Sequence, residues 1–204
     1  INLSKFYFLN KKTDEAKSRI EKILEQDKNN IDALFLQANI LSVQKELDAS
    51  VKIYEKILGL QGDHIPSLQA LARLKSFQKQ FDEAESLLQK AVEAAPDTVQ
   101  PRQMLFSFYI SQKNLLKAEE QLQLIARENP DTADHQIVLG NFYLKVQKNT
   151  QAETAYKKAV DLSPDTVAPY LTLAKFYGVT GQDENALALY EEAMKIDPED
   201  ITPK

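Results

Sequence analysis

A chain of 204 residues, 43% of them hydrophobic, is long enough to bury a sizeable core. Its net charge of −5 and isoelectric point near 5.2 argue against a nucleic-acid binder working by phosphate neutralisation. It has no cysteine, which excludes disulfides, thiolate metal sites and a thiol nucleophile and leaves the compartment open.

From end to end the sequence returns to one pattern every 34 residues. Ala16, Ser50, Ala84, Ala118, Ala152 and Ala186 mark the period, each Ala or Ser. With this column as position 20, a partial repeat covers 1–30 and full repeats cover 31–64, 65–98, 99–132, 133–166 and 167–200. Residues 201–204 open a further one. A fixed period of this length marks a stack of supersecondary units in one continuous array.

Each repeat predicts two helices. In the first, position 7 reads Leu3, Gln37, Leu71, Leu105, Leu139, Leu173. Position 8 reads Ser4, Ala38, Ala72, Phe106, Gly140, Ala174, and position 11 reads Tyr7, Leu41, Lys75, Tyr109, Tyr143, Tyr177. In the second, position 24 reads Ile20, Tyr54, Leu88, Leu122, Tyr156, Tyr190, and position 27 reads Ile23, Ile57, Ala91, Ile125, Ala159, Ala193. Spacings of three and four put each set on one helical face. Small residues at 8 and 20 let the two helices cross closely, with larger ones filling the space beside them.

The prolines give the same phase. Pro96, Pro130, Pro164 and Pro198 fall at position 32, where ring and missing N–H end the second helix. Pro66, Pro101, Pro169 and Pro203 fall at position 2 or 3, in a first turn that needs no N–H. Asp14, Asp48, Asp82 and Glu184 open second helices, at the positive end of the dipole.

The run Leu139, Gly140, Tyr143, Ala152, Tyr156, Ala159, Pro164 resembles the tetratricopeptide repeat almost column for column. So does Tyr170, Leu173, Ala174, Tyr177, Gly181, Ala186, Tyr190, Ala193, Pro198. The resemblance covers essentially the whole chain, and the texture is similar to bacterial arrays. The RNA-reading pentatricopeptide family fits worse, because its period is 35 and this chain is acidic. The resemblance implies an all-α, right-handed superhelical solenoid of antiparallel helix hairpins, about six units with the first truncated. Departures are Gln37 at an apolar position, Lys28 and Gly62 in place of the junction proline, and Lys75 where Tyr is usual. Phe106 at a small position predicts a splayed or repacked fourth hairpin, with Leu122 opposite.

The resemblance further implies that positions 2, 5, 6, 9, 12 and 13 face a concave groove. Position 9 is then a polar ladder of Lys5, Asn39, Arg73, Ser107, Asn141 and Lys175, suited to bonding the amides of an extended peptide. Apolar neighbours are Phe8, Phe35, Leu36, Phe77, Met104, Ile110, Ile137, Val138 and Leu171. Lys5, Arg73, Lys145 and Lys175 against Asp32 and Asp134 leave the groove at +2, favouring a neutral or acidic segment. The expected peptide-binding set is Lys5, Phe35, Asn39, Arg73, Phe77, Met104, Ser107, Asn141, Lys145 and Lys175. The family's carboxylate clamp is missing, since Phe35, Ala70, Gln100 and Met104 occupy its positions.

No catalytic, phosphate-cradling or metal-binding motif appears, and His64 and His135 read as separate surface residues. The sequence predicts no enzyme, no cofactor and no metal, but a scaffold for a protein or peptide partner, without nucleic acid. Alternatives are a structural spacer, an accessory region of a larger envelope or enzyme protein, and an end-to-end homodimer through a last face around Leu173, Tyr177 and Leu189. No apolar run approaches the ~20 residues that span a bilayer. Beginning at Ile1 without Met, the chain reads as a fragment, cytoplasmic or tied to the periplasm or outer membrane by sequence that precedes it.

Overall fold

The computed structural model describes residues 1–10 and 12–197. Among these the chain is helical throughout, with no strand: α1 (Asn2–Leu9), α2 (Thr13–Gln26), α3 (Ile31–Val43), α4 (Leu47–Leu60), α5 (Ile65–Phe77) and α6 (Phe81–Ala94). They continue as α7 (Val99–Ser111), α8 (Leu115–Glu128), α9 (Ala133–Lys145), α10 (Asn149–Leu162), α11 (Val167–Val179) and α12 (Asp183–Ile196). The fold is an all-α helical repeat solenoid. Pro198, Pro203 and the 201–204 segment lie outside the described residues. No described helix is long and apolar enough to cross a membrane.

Two compact bodies divide inside α7, one Ile1–Phe108 and the other from Tyr109 onward. In the first, α1 packs on α2, α3 on α4 and α5 on α6, while α2 meets α3 and α4 meets α5. In the second, α9 packs on α10 and α11 on α12, α8 meets α9, α10 meets α11, and α9 also touches α11.

Both kinds of turn repeat with the period. Within hairpins, Lys45, Lys79, Lys113, Gln147 and Gly181 all adopt positive φ, between 57° and 76°. Each closes the first helix with the same pair of bonds. In α3, the Glu46 N–H reaches the Leu41 carbonyl at 2.9 Å and the Lys45 N–H reaches Ser42 at 3.1 Å, and the pair recurs down to Gln182 and Gly181. This is the Schellman closure, which satisfies the last carbonyls through one left-handed residue. Three of those residues are lysines, whose charge suits the negative helix end. Between hairpins, the N–H of Asn30, His64, Thr98, Thr132 and Thr166 bonds the carbonyl three residues back. Pro66, Pro101 and Pro169 occupy first-turn positions of α5, α7 and α11.

The small columns are packed to contact. Ala16, Ser50, Ala84, Ala118 and Ala152 have no exposed surface, and Ala38, Ala72 and Ala174 almost none. A Cβ built on Gly140 would come within 2.6–2.9 Å of the Tyr156 ring. Ser50 keeps its hydroxyl satisfied on the Ala38 carbonyl at 2.8 Å and on Ser42 at 2.6 Å.

One departure, Lys75, resolves locally. Lys75 is 12% exposed at its side chain and replaces the tyrosine with an ion pair, 2.8 Å to Glu83 and 3.9 Å to Glu55. Gln37 and Phe106 are half-buried. His64 and His135 are half-buried, not surface residues: His64 packs edge-on against Phe35 and bonds Ser67 through Nδ1 at 2.8 Å. Burial lowers the His64 pKa, offset in part by Asp32 and Asp63. Leu173 and Tyr177 are covered, against the expectation of an open last face; the large apolar residues exposed on α12 are Leu187 and Met194.

Three substitutions isolate the constraints. Gly140→Ala should destabilise by about 1–3 kcal/mol through overpacking on Tyr156, whereas Gly59→Ala, which meets nothing within 4 Å, should stabilise by up to about 1 kcal/mol. Gly181→Ala likewise meets no neighbour, so its expected loss of about 1–2 kcal/mol measures the left-handed backbone alone. Urea unfolding of each variant checks both signs.

Candidate functional site

The first-helix faces carry the predicted binding residues, and the second helices decide how those side chains are held. In α3, Ala38 at position 8 lets the Tyr54 ring of α4 lie close, and the Tyr54 hydroxyl donates to Asn39 Oδ1 at 2.8 Å. In α9, Gly140 does the same for Tyr156 of α10, whose hydroxyl donates to Asn141 Oδ1 at 2.8 Å. Burial raises the pKa of both phenols, so each remains an O–H donor at neutral pH. That bond takes one lone pair of the carboxamide oxygen and fixes the amide, whose N–H₂ has no hydrogen-bond partner at Asn39 or Asn141 among the described residues. Both sites are therefore donors, oriented from behind.

Within the first body, Phe35 and Arg73 gather around the same tyrosine. Phe35 packs edge-on against Tyr54 at 5.8 Å and is half-buried, and the Arg73 charge acts on the Tyr54 hydroxyl while its side chain stays exposed. Lys5 is exposed and pairs with Asp32 of the next first helix at 3.1 Å, so those two groove charges cancel. Met104 is half-buried and its Sδ accepts from Gln100 Nε2 at 3.1 Å, while Gln100 and Gln69 exchange bonds at 2.6 and 3.3 Å between neighbouring first helices. Ser107 is exposed and turns its hydroxyl back onto the Gln103 carbonyl at 2.9 Å. Leu36 is buried in the core, and Phe8 packs on the same cluster. In the second body, Asn141, Lys145 and Lys175 are exposed on α9 and α11.

Phe77 belongs to a row that residue-by-residue reading of the groove missed. Leu9, Val43 and Phe77 sit at position 13 of successive first helices and are 68–78% exposed. Val179 takes the same position in the second body and is 75% exposed. The signal was present as a column at the repeat spacing. Equally available was the pairing of Asn at 9 with Tyr at 24, which occurs in the second and fifth repeats; Ile20, Leu88 and Leu122 stand behind Lys5, Arg73 and Ser107.

In the third, fifth and sixth repeats, position 11 makes a polar link to the repeat before it. Tyr143 accepts from Gln123 at 2.8 Å, and Tyr177 donates to Glu153 at 2.8 Å, the link that Lys75 makes to Glu55 by charge. Burial raises the Tyr177 pKa, and its bond to Glu153 adds to the rise.

Family models described as tetratricopeptide repeat match residues 7–74 and 78–141, and 136–166 and 167–200. A search of curated proteins finds no significant match. Among solved structures, the C-terminal part of a TPR repeat-containing protein from Cytophaga hutchinsonii is similar, with a TM-score of 0.69, 17% identity, and coverage of 96% of this chain and 78% of that one. The structure reported for the functional characterisation of Pseudomonas aeruginosa pilF gives 0.65 at 18% identity, covering 97% and 90%. YrrB, described as a TPR protein with an unusual peptide-binding site, gives 0.54 at 19% identity, covering 88% and 93%. At these identities the likeness is one of fold. The family models span nearly the whole described chain, and the chain belongs to the tetratricopeptide repeat family.

Proposed function

We propose that this chain is a binding scaffold that carries no chemistry of its own and holds a protein or peptide segment along its first-helix faces. The observation that carries the reading is the same tyrosine-to-asparagine bond in two repeats three periods apart. An extended peptide leaving water must replace the hydrogen bonds of its carbonyls, and a pre-oriented N–H₂ meets that need without further ordering. Exposed Lys145 and Lys175 favour a neutral or acidic segment, as does the exposed Arg73 in the first body. Tetratricopeptide proteins in general are non-catalytic interaction scaffolds, and YrrB is described as having a peptide-binding site.

The test is a displayed-peptide selection against the whole chain, followed by calorimetry of the selected sequences. Asn141→Ala and Asn39→Ala should each weaken binding by about 3- to 10-fold, the worth of one hydrogen bond, while the chain stays folded and melts lower only by the loss of the tyrosine's hydrogen-bond acceptor. Selected peptides that bind both variants as tightly as the parent chain would contradict the reading.

A further inference from the structure

The hairpin turns on either side of α8 and α9 differ from the others in charge. Segments 111–118 and 145–152 carry Lys113, Lys117, Lys145 and Lys148 and no carboxylate. The corresponding turns before α4, α6 and α12 each carry at least one acidic residue in the first helical turn, Asp48, Asp82 with Glu83, and Asp183 with Glu184. The first turns of α8 and α10 have none. Between these two basic turns lies a cavity of about 460 Å³. Its apolar walls are Ile110, Leu115, Phe142 and Val146, and Lys113 and Lys145 stand at its border. Lys148 is held by Glu119 and lies over the Tyr143 ring, whereas Lys113 and Lys145 make no ion pair among the described residues.

An apolar hollow of this volume falls within the ~300–1,000 Å³ range of ligand clefts. Two free ammonium groups beside it attract carboxylates, and the one carboxylate that reaches these turns, Glu119, is engaged by Lys148 and pairs with neither of them. We propose that this cavity receives a bulky apolar side chain of the bound peptide, flanked by aspartate or glutamate that pairs with Lys113 and Lys145. The inference rests on the scaffold reading above and adds to it a sequence preference: an aromatic or large aliphatic residue next to an acidic one.

The isotope-labelled whole chain is titrated, with amide shifts followed by NMR, against three short Gly/Ser peptides centred on Glu-Phe-Glu, Glu-Ala-Glu and Lys-Phe-Lys. Glu-Phe-Glu should shift the amides of Lys113, Leu115 and Val146 saturably and bind about tenfold tighter than either control. The double variant Lys113→Glu with Lys145→Glu should lose that margin, and Val146→Trp, which fills the hollow without changing charge, should lose it too. Equal response to the three peptides, shifts confined to other surfaces, or undiminished binding to the double variant would overturn the proposal. Its failure is separable from that of the scaffold reading. Selected peptides that depend on Asn141 but show no acidic-apolar preference sink the cavity alone. Glu-Phe-Glu binding at the cavity, with no selected peptide depending on Asn39 or Asn141, sinks the asparagine ladder alone.

Discussion

The structure depends on how closely two helices of a hairpin can approach. At position 20 of every repeat, and at position 8 of every repeat but the fourth, where Phe106 stands, the two helices cross on a Gly, Ala or Ser, and the Ala and Ser side chains of column 20 are almost wholly buried. Close-packed interiors transmit such a constraint to their neighbours. With position 8 small, the large residue at 24 lies across it, as Tyr156 does over Gly140. The phenol's hydroxyl then reaches the next residue along the first helix, which is position 9. Core packing and the setting of the position-9 side chain are thus adjacent consequences of one crossing.

That coupling explains why the six position-9 side chains are not equivalent. Asn39 and Asn141 are held from behind by a buried donor and present a fixed N–H₂. Lys5 is engaged sideways with Asp32, and Ser107 turns back onto its own helix. Arg73 and Lys175 project as exposed charges. The ladder therefore consists of two pre-oriented hydrogen-bond donors with charged and neutral positions between them. Pre-orientation matters energetically, because a side chain already fixed loses little rotamer entropy when a ligand arrives.

Much of this was legible in the sequence, and the parts that were not have physical reasons. Helix spacing, hairpin pairing and the buried small columns follow from the 34-residue period and its prolines, since apolar phase and backbone geometry are local properties. The expectation of surface histidines failed because His64 lies under Phe35, a ring contact that no column of the repeat encodes. Leu36 was assigned to the groove by position, yet its α3 face turns into the core with Ile20 and Ile40. Lys75 was visible as an anomaly, but its remedy, two glutamates on different helices, required the fold. The left-handed residue at position 15 was hidden by composition: lysine or glutamine stands where glycine would have advertised it, and only Gly181 does.

The central claim is that a buried tyrosine behind the ladder orients asparagine for its ligand. A double-mutant cycle on peptide affinity tests it most directly, using Tyr156→Phe and Asn141→Ala singly and together on one selected peptide. The account predicts that removing the Tyr156 hydroxyl weakens binding only while Asn141 is present, with a coupling of about 0.5–1.5 kcal/mol. Purely additive losses, or a Tyr156→Phe effect that persists in the Asn141→Ala background, would contradict it.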